Sequence, residues 1–334
     1  MKSKKTFGII MLVLTAFIWG SSFVAQSDAM DHISPFTMNG VRSFLAAIAI
    51  FITLVIMQSI KNKKFTVIAP VAPEKRKNTL IAGLICGIFI TVATTVQQFG
   101  IARTTVGKSG FITALYIIIV PLMGLIIGKR PKWNLWVAVV IALGGFALIC
   151  LIGNGFQLSV GDLLVLISAL FFAAHILAVE KFASDVDGVL LSFMQFSVCT
   201  VADIILALIF EKPNFNDIFA AWWPIIYAGV FSGGIAYTLQ ILGQKYVPAT
   251  IAVLIMSLES VFAALSGRMF KHEIMTIYEF IGSVLVFGAV ILAQLDFSKL
   301  KKSNASVTIE SEEVKSDVVS VKNAAENENI KAEK

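Results

Sequence analysis

The sequence predicts an all-α membrane protein whose ten transmembrane helices form two inverted five-helix repeats, with both termini in the cytoplasm. Three observations lead to this fold class. Of the 334 residues, 57% are hydrophobic and 14% are charged, with a mean hydropathy of +0.85, whereas soluble domains are about 45–50% apolar and about 25% charged. The charges collect in short runs between apolar blocks about 20 residues long, the length that crosses a bilayer. The two halves of the chain also share one pattern of residues.

Ten apolar segments are long enough to cross the hydrocarbon core as helices. They are numbered here as spans one to ten and occupy residues 7–26, 36–58, 79–100, 108–128, 133–153, 161–181, 188–210, 219–242, 248–270 and 275–296. The first resembles a signal peptide, but its apolar run continues through Trp19 to Val24 without a small-residue cleavage site, so we expect a retained span. The polar composition after Phe297 predicts a disordered cytoplasmic tail over 298–334.

The distribution of basic residues between the loops predicts the orientation. Seventeen Lys and Arg residues flank the spans on the side of the N-terminus, and five flank them on the other side. Because cytoplasmic loops carry the excess of basic residues, both termini are expected in the cytoplasm of a bacterial cell. The same rule explains the net charge of +6, because the basic residues flank the spans beside the lipid bilayer. No nucleic-acid partner is therefore expected.

An internal repeat relates the two halves. The segment "LTAFIWGSSFV" (14–24) matches "ISALFFAAHIL" (167–177), and the same offset of 153 residues pairs Arg42 with Gln195. We therefore predict one repeat over 1–155 and a second over 156–297. Each holds five spans, an odd number, so the second must insert upside down relative to the first. Inverted repeats around a site near the midplane are typical of secondary transporters.

Two other classes of function compete with transport. A membrane enzyme needs clustered catalytic groups, and the sequence contains no metal-ligand spacing, HExxH motif or nucleophile–base set, so neither catalysis nor a metal or other cofactor is expected. A non-transporting sensor or scaffold stays an alternative, although the acidic tail contains no folded output domain. Cys86, Cys150 and Cys199 lie inside apolar blocks and predict neither a disulfide nor a metal site.

The order of several motifs resembles the ten-helix EamA-type permeases of the drug/metabolite transporter superfamily. In the first half these are "FIWGSSFV", "SPFTMNGVRSFLAA" and "QQFGIARTTVGKSGFITALYIIIVPLMGLIIGKRP". In the second they are "GDLLVLISALFFAAHILAVEKF" and "GQKYVPATIAVLIMSLESVFAALSG", followed by Glu273 and Gly282. The chain differs from the family pattern at Ser260, where proline is usual, at Lys129, where the family often has glutamate, and at His272, where glycine is usual. The resemblance implies a proton- or gradient-linked exporter of small metabolites, with amino acids and amphipathic drugs among the substrates.

Glu259 is the first candidate for substrate binding or coupling. It lies about ten residues into span nine, ~15 Å deep and near the centre of the membrane. A carboxyl group at that depth suits either proton coupling or recognition of a substrate amine, and the alternative is a hydrogen-bonded acid that holds helices together. Its approximate counterpart in the first repeat is Ile117, so the acid breaks the symmetry of the repeats.

Arg42 lies about six residues into span two, ~9 Å from the external surface. It could bind a substrate carboxylate through two parallel hydrogen bonds. The alternatives, slightly favoured on sequence, are a side chain that reaches the external headgroups or an ion pair with Asp28 or Asp31.

His175 and Ser22 are counterparts in the two repeats. Ser22 lies ~22 Å from the cytoplasmic side, and His175 lies ~21 Å from the external side. Because these depths match from opposite faces, both are predicted to point at a central cavity, where His175 could titrate or donate a hydrogen bond. The alternative for His175 is a packed ring bonded to a backbone carbonyl.

The remaining candidates are polar or aromatic. Together with Gln195 they are predicted to contact substrate through rings and hydrogen bonds: Trp19, Gln97, Gln98, Tyr116 and Tyr237. Asp203 in span seven is also within the membrane, and it is interpreted as a peripheral helix contact or a lipid-facing residue.

The sequence thus predicts a secondary transporter that moves a small-molecule substrate across the cytoplasmic membrane by alternating access. Export of amino acids or related metabolites is the preferred interpretation, with coupling to protons through Glu259. A permease for amphipathic drugs or for sugars, purines or nucleotide precursors is the alternative within the same class.

Overall fold

The computed structural model describes residues 2–68, 71–128, 133–148, 159–274 and 276–294, and their regular structure is helical throughout. The first half contains α1 (Lys2–Ala29), α2 (Pro35–Asn62), α3 (Pro73–Ile101), α4 (Val106–Thr113), α5 (Tyr116–Ile126) and α6 (Trp133–Ala147). The second contains α7 (Val160–Phe182), α8 (Gly188–Phe210), α9 (Phe215–Ala220), α10 (Trp222–Ile226), a π-helix (Tyr227–Ala236), α11 (Tyr237–Gln244), α12 (Ala249–Met256), α13 (Glu259–Phe270) and α14 (Ile277–Gln294). The predicted tail lies outside the described residues.

The predicted spans coincide with these helices. In the described part of the chain, eight helical stretches are long and apolar enough to cross a membrane, and two shorter apolar helices, α6 and α14, occupy predicted spans five and ten. The prediction of an all-α membrane protein is confirmed, with five spans in each half. The exact domain boundaries and the orientation of the termini stay predictions.

Helix starts follow the local chemistry of the chain. Pro35 and Pro73 stand in the first turns of α2 and α3, where the missing N–H costs no hydrogen bond. The capping box of α7 joins Ser159 and Asp162 through reciprocal hydrogen bonds of 3.0 Å. A carboxylate from another span caps α2, because Glu211 accepts hydrogen bonds from the backbone of Phe36 and Thr37.

Spans four and nine are both broken near their middle. In span four the α-helix stops at Thr113 and resumes at Tyr116, and in span nine it stops at Met256 and resumes at Glu259. Neither break contains proline, so the Ser260 departure from the family pattern does not abolish the interruption of the helix. In span nine, Ser257 Oγ donates to the Leu254 carbonyl at 2.8 Å and Ser260 Oγ donates to the Ser257 carbonyl at 2.7 Å. These hydroxyl groups compete with the regular ladder, which is a recognised cause of helix bends.

The packing of the helices shows the inverted repeat directly. Span one (α1) packs against span eight (the π-helix and α11). The symmetry-related contact is that of span six (α7) with span three (α3). Spans two and seven (α2 and α8) pack against each other, as do spans four and nine. This pattern is what a pseudo-twofold axis between two upside-down copies requires.

Small residues permit the close approach of spans related by the repeat. A Cβ atom added to Gly87 in span three would lie 2.6 Å from Val198 Cβ in span seven. In the other copy, a Cβ atom on Gly233 in span eight would lie 2.7 Å from Ala46 Cβ in span two. Real Cβ atoms do not approach so closely, so glycine is required at both contacts.

We expect Gly87→Ala to lower the melting temperature of the purified protein in detergent. Overpacking costs about 1–3 kcal/mol, which exceeds the gain of roughly 1 kcal/mol in helix propensity on replacing glycine by alanine. Gly144→Ala is the matched control, since a Cβ at Gly144 meets nothing within 4 Å, and its melting temperature should not fall. An unchanged melting temperature for Gly87→Ala would contradict the packing described.

Candidate functional site

A small cavity lies between the two repeats, and it brings together most of the residues predicted from the sequence. Its volume is about 30 Å³, which is room for about two water molecules. Eight of the ten candidates line it: Trp19, Ser22, Arg42, Gln97, Tyr116, His175, Tyr237 and Glu259. Gln98 and Gln195 are fully buried behind this wall. The roles of these residues in binding stay predictions.

Glu259 begins α13, immediately after the break in span nine. Its side chain is 2% exposed, and its Oε1 atom has no hydrogen-bond partner among the described residues. Tyr116 begins α5 immediately after the equivalent break in span four, and its hydroxyl group lies beside the Glu259 carboxyl group. Tyr116, and not Ile117, is therefore the counterpart of Glu259, so a tyrosine and a glutamate face the cavity from matching positions.

Arg42 belongs to a hydrogen-bonded chain that runs from the first repeat to Ser232 in the second. Its Nη1 donates to Gln26 Oε1 at 2.5 Å, Gln26 Nε2 donates to Ser22 Oγ at 3.0 Å, and Ser22 Oγ donates to Ser232 Oγ at 3.2 Å. The guanidinium group is turned inward and is 6% exposed. The sequence-based preference for a side chain that reaches the headgroups, or pairs with Asp28 or Asp31, is therefore wrong.

The two acids at the end of α1 have a different partner. Lys271, at the end of α13, is ion-paired with Asp28 and lies 3.6 Å from Asp31. Burial disfavours the charged amine, but the two carboxylates outweigh this effect and hold the pKa of Lys271 above its ordinary value. The pairs join span one to span nine at the predicted external end.

The contact of His175 with Gln195, between spans six and seven, repeats the contact of Gln26 with Arg42 between spans one and two. The His175 Nε2 atom lies 2.9 Å from Gln195 Oε1. The ring is fully buried, and Nδ1 has no partner among the residues described. The alternative of a backbone carbonyl partner is wrong, because a side-chain amide fills this position.

Sequence reasoning missed several polar residues of the cavity wall. Gln97 Nε2 donates to Thr113 Oγ1 at 2.8 Å, and Gln98 Nε2 donates to the backbone carbonyl of Gln26 at 3.3 Å. Gln26, Thr113 and Ser232 also line the cavity. Gln26 follows Ser22 by four residues, one helical turn, and this spacing was the available signal.

Aromatic rings form the apolar part of the wall. The Trp19 and Tyr237 rings are 4.6 Å apart, and Tyr237 also contacts the edges of Phe196 and His175. The Trp19 indole N–H and the Tyr116 hydroxyl group have no hydrogen-bond partners in the described part of the chain. Rings with free polar tips are suited to contact the apolar body of a solute and hydrogen-bond its head group.

The helices around the cavity are tied together near both ends. At the predicted external end, Glu273 accepts hydrogen bonds from Val106 N at 2.8 Å and Gly107 N at 3.1 Å, which caps α4. At the other end, Glu180 on span six accepts from Ala249 N at 3.1 Å at the start of span nine. Ligand sites usually measure about 300–1,000 Å³, so a cavity of this size would have to expand before it could hold a solute.

For Asp203 the sequence left open a peripheral helix contact or a lipid-facing position, and the structure shows a helix contact. The side chain is fully buried between spans two, three and seven, where Thr95 Oγ1 donates to its Oδ1 atom at 2.7 Å. It does not face lipid, and it does not line the cavity.

Comparison with known proteins agrees with the architecture. The family model described as "EamA-like transporter family" matches residues 6–151 and again residues 159–295. An uncharacterized transporter of Archaeoglobus fulgidus is 28% identical over 294 residues, 87% of each chain. The uncharacterized transporter YoaV of Bacillus subtilis is 24% identical over 310 residues, which cover 89% of this chain and 99% of YoaV.

A solved crystal structure shares the fold, with a TM-score of 0.63 at 17% identity, over 88% of this chain and 97% of that one. The repeated family match, one copy in each half, coincides with the two five-span repeats seen in the helix packing. The chain belongs to the EamA-like transporter family.

Proposed function

We propose that this transporter exports amino acids, or closely related zwitterionic metabolites, across the bacterial cytoplasmic membrane by alternating access. Transport as such follows from the family, and the substrate class is inferred from the cavity. The distribution of basic residues between the loops supports a cytoplasmic position for both termini.

One observation carries the substrate class: a cationic and an acidic side chain face the same cavity without pairing with each other. Arg42 and Glu259 both line it, and neither is ion-paired within the described residues. Buried charges are costly unless they are compensated. A zwitterion compensates both at once, because its carboxylate can bind the guanidinium group while its ammonium group binds the carboxylate of Glu259.

Glu259 also supplies a route to proton coupling. In the empty site its carboxyl group can be neutralised by a proton, and in the loaded site it is neutralised by the substrate ammonium group. Proton and substrate then compete for one carboxyl group, and this competition exchanges one for the other across the membrane. Inward proton movement would therefore drive export.

The interrupted helices give the cavity a means of opening. The breaks in spans four and nine adjoin Tyr116 and Glu259, so bending at either break moves a cavity-lining residue directly. Interrupted helices at the midplane are typical of transporter substrate sites. Bending at the two breaks in turn would expose the cavity to one side of the membrane at a time.

The test is a counterflow screen in proteoliposomes, with amino acids, purines, sugars and cationic drugs, in the presence and absence of a pH gradient. We expect exchange of amino acids, with stimulation by the gradient. For each amino acid that exchanges, its amine lacking the carboxylate and its acid lacking the amino group serve as matched competitors. Each analogue should compete roughly 10-fold or more weakly, because it loses one charge-assisted hydrogen-bonded contact worth about 1.5–3 kcal/mol.

Other outcomes of the screen would support the rival functions. Exchange of cationic drugs alone, with full competition by simple amines, would indicate a drug permease that uses Glu259 but not Arg42. Binding of a solute without exchange would indicate the sensor or scaffold.

A further inference from the structure

A second buried acid lies outside the cavity and has no role in the proposed substrate site. Asp203 is fully buried in α8, seven residues before its end at Phe210 and therefore about 10 Å from that end of the span. Its Oδ1 atom accepts the Thr95 hydroxyl hydrogen at 2.7 Å, and Oδ2 has no partner among the described residues. An ionisable side chain in this position is costly and is retained mainly where it has a function.

The polar groups around Asp203 form a compact cluster. Asn39 on span two donates to Thr95 Oγ1 at 3.4 Å, and its own carbonyl oxygen is buried without a partner in the described part of the chain. Asn39, Thr95 and Asp203 come from spans two, three and seven, so the cluster sits where both repeats meet. It presents two orphaned oxygen atoms, Asn39 Oδ1 and Asp203 Oδ2.

Charged and titratable groups surround Asp203 on the neighbouring spans. Span two contributes Arg42, which interacts with Asp203 electrostatically without forming a direct ion pair. Span seven contributes Cys199 and, beyond its end, Glu211. Span three contributes the neutral Thr95. Arg42 is therefore the nearby cation, and the same guanidinium group also faces the substrate cavity.

We propose that Asp203 is a second proton-binding group of this transporter, located outside the substrate cavity and linked to it through Arg42. A proton suits the cluster better than a metal ion. Its few oxygen atoms fall short of the roughly six to eight ligands of a Ca²⁺ site, whereas a proton needs only one oxygen atom. A proton on Oδ2 neutralises the buried acid and turns this orphaned oxygen atom into a hydrogen-bond donor.

The link to the cavity follows from the shared cation. A carboxylate bound to Arg42 competes with Asp203 for the same positive charge, so substrate binding should favour the protonated form of Asp203. This consequence rests on the proposed substrate class, whereas proton binding by Asp203 does not.

Infrared difference spectroscopy of the purified, ligand-free protein during a pH titration tests the proposal, because protonated carboxyl groups have a distinct C=O stretching band. We expect a band that titrates with pH, is lost in Asp203→Asn and persists in Glu259→Gln. The exposed Asp185→Asn is the matched control and should leave this band unchanged. If Asp203→Asn leaves every titrating carboxyl band unchanged, Asp203 does not take up or release a proton over this pH range, and the proposal is overturned.

A second variant covers the case in which Asp203→Asn does not fold. Thr95→Val removes the donor to Oδ1 and adds no charge, so the Asp203 band should move in frequency and persist to more alkaline pH. A spectrum identical to that of the wild type would contradict the assignment.

The coupling of Asp203 to the cavity through Arg42 is tested by adding the amino acid that exchanges best in counterflow. This addition should increase the Asp203 band. An unchanged band would overturn the coupling. The ligand-free titration needs neither flux nor substrate, so it stands even if no amino acid exchanges.

Discussion

Glu259→Gln is expected to fold and insert normally but to lose most of its amino-acid exchange and its response to a pH gradient. The amide keeps the shape of the side chain, so the contacts around α13 are retained. It cannot carry a negative charge or a transferable proton, so the substrate ammonium group loses its counter-ion and the competition between proton and substrate is abolished. The loss of one charge-assisted contact, about 1.5–3 kcal/mol, corresponds to roughly 10- to 150-fold weaker binding.

The measurement is counterflow in proteoliposomes, with and without a gradient, at matched protein incorporation. Glu74→Gln, an exposed acid at the start of α3, is the control and should behave as the wild type. Tyr116→Phe removes the hydroxyl group beside Glu259 but leaves the acid, so a smaller effect is expected. Glu259→Gln with unchanged kinetics and unchanged pH dependence would rule out a role for Glu259 in binding or coupling.

Arg42→Gln is expected to weaken binding of zwitterionic amino acids by a similar factor, about 10- to 150-fold, and to leave binding of the matching amine unaffected. Arg42 supplies the positive charge on the cavity wall, and a substrate carboxylate needs this charge as a counter-ion. Arg42→Lys keeps the charge but loses the planar pair of donors, so intermediate affinity is expected. Competition by the amino acid and by its amine in the same vesicles measures the affinity of the variant for each of the two compounds.

The two substitutions together give a specific pattern. Glu259→Gln should impair recognition of the amine and spare the acid analogue, whereas Arg42→Gln should do the reverse. If Arg42→Gln weakened the amine and the zwitterion equally, Arg42 would be a structural partner of Gln26 and not a ligand for the substrate carboxylate.

Much of the candidate site could be predicted from the sequence because a membrane makes polar residues conspicuous. Glu259, Arg42 and His175 stand out against apolar spans, and the matched depths of Ser22 and His175 follow from helix rise and repeat symmetry alone. Gln26 and Thr113 were missed, because amides and hydroxyl groups near helix ends are common and only their neighbours distinguish them. For Asp203 the sequence left a helix contact and a lipid-facing position open, because the depth of a residue can be read from a sequence but the face of a helix that meets protein instead of lipid cannot.

The sequence by itself determined the fold class, the number of spans and the inverted relation of the halves. These follow from hydrocarbon thickness, from the need to satisfy backbone hydrogen bonds within each span, and from the odd number of spans in a repeat. Only the tertiary structure decided which charges meet. In the structure Arg42 points inward and contacts Gln26, and Lys271 forms the ion pair with Asp28. Tyr116 and Glu259 lie at matching positions beside two helix breaks that contain no proline. Side-chain pairing depends on how helices far apart in the chain are rotated and where they touch. Close packing around residues such as Gly87 and Gly233 sets this rotation and contact. The hydropathy of a single span does not encode such packing.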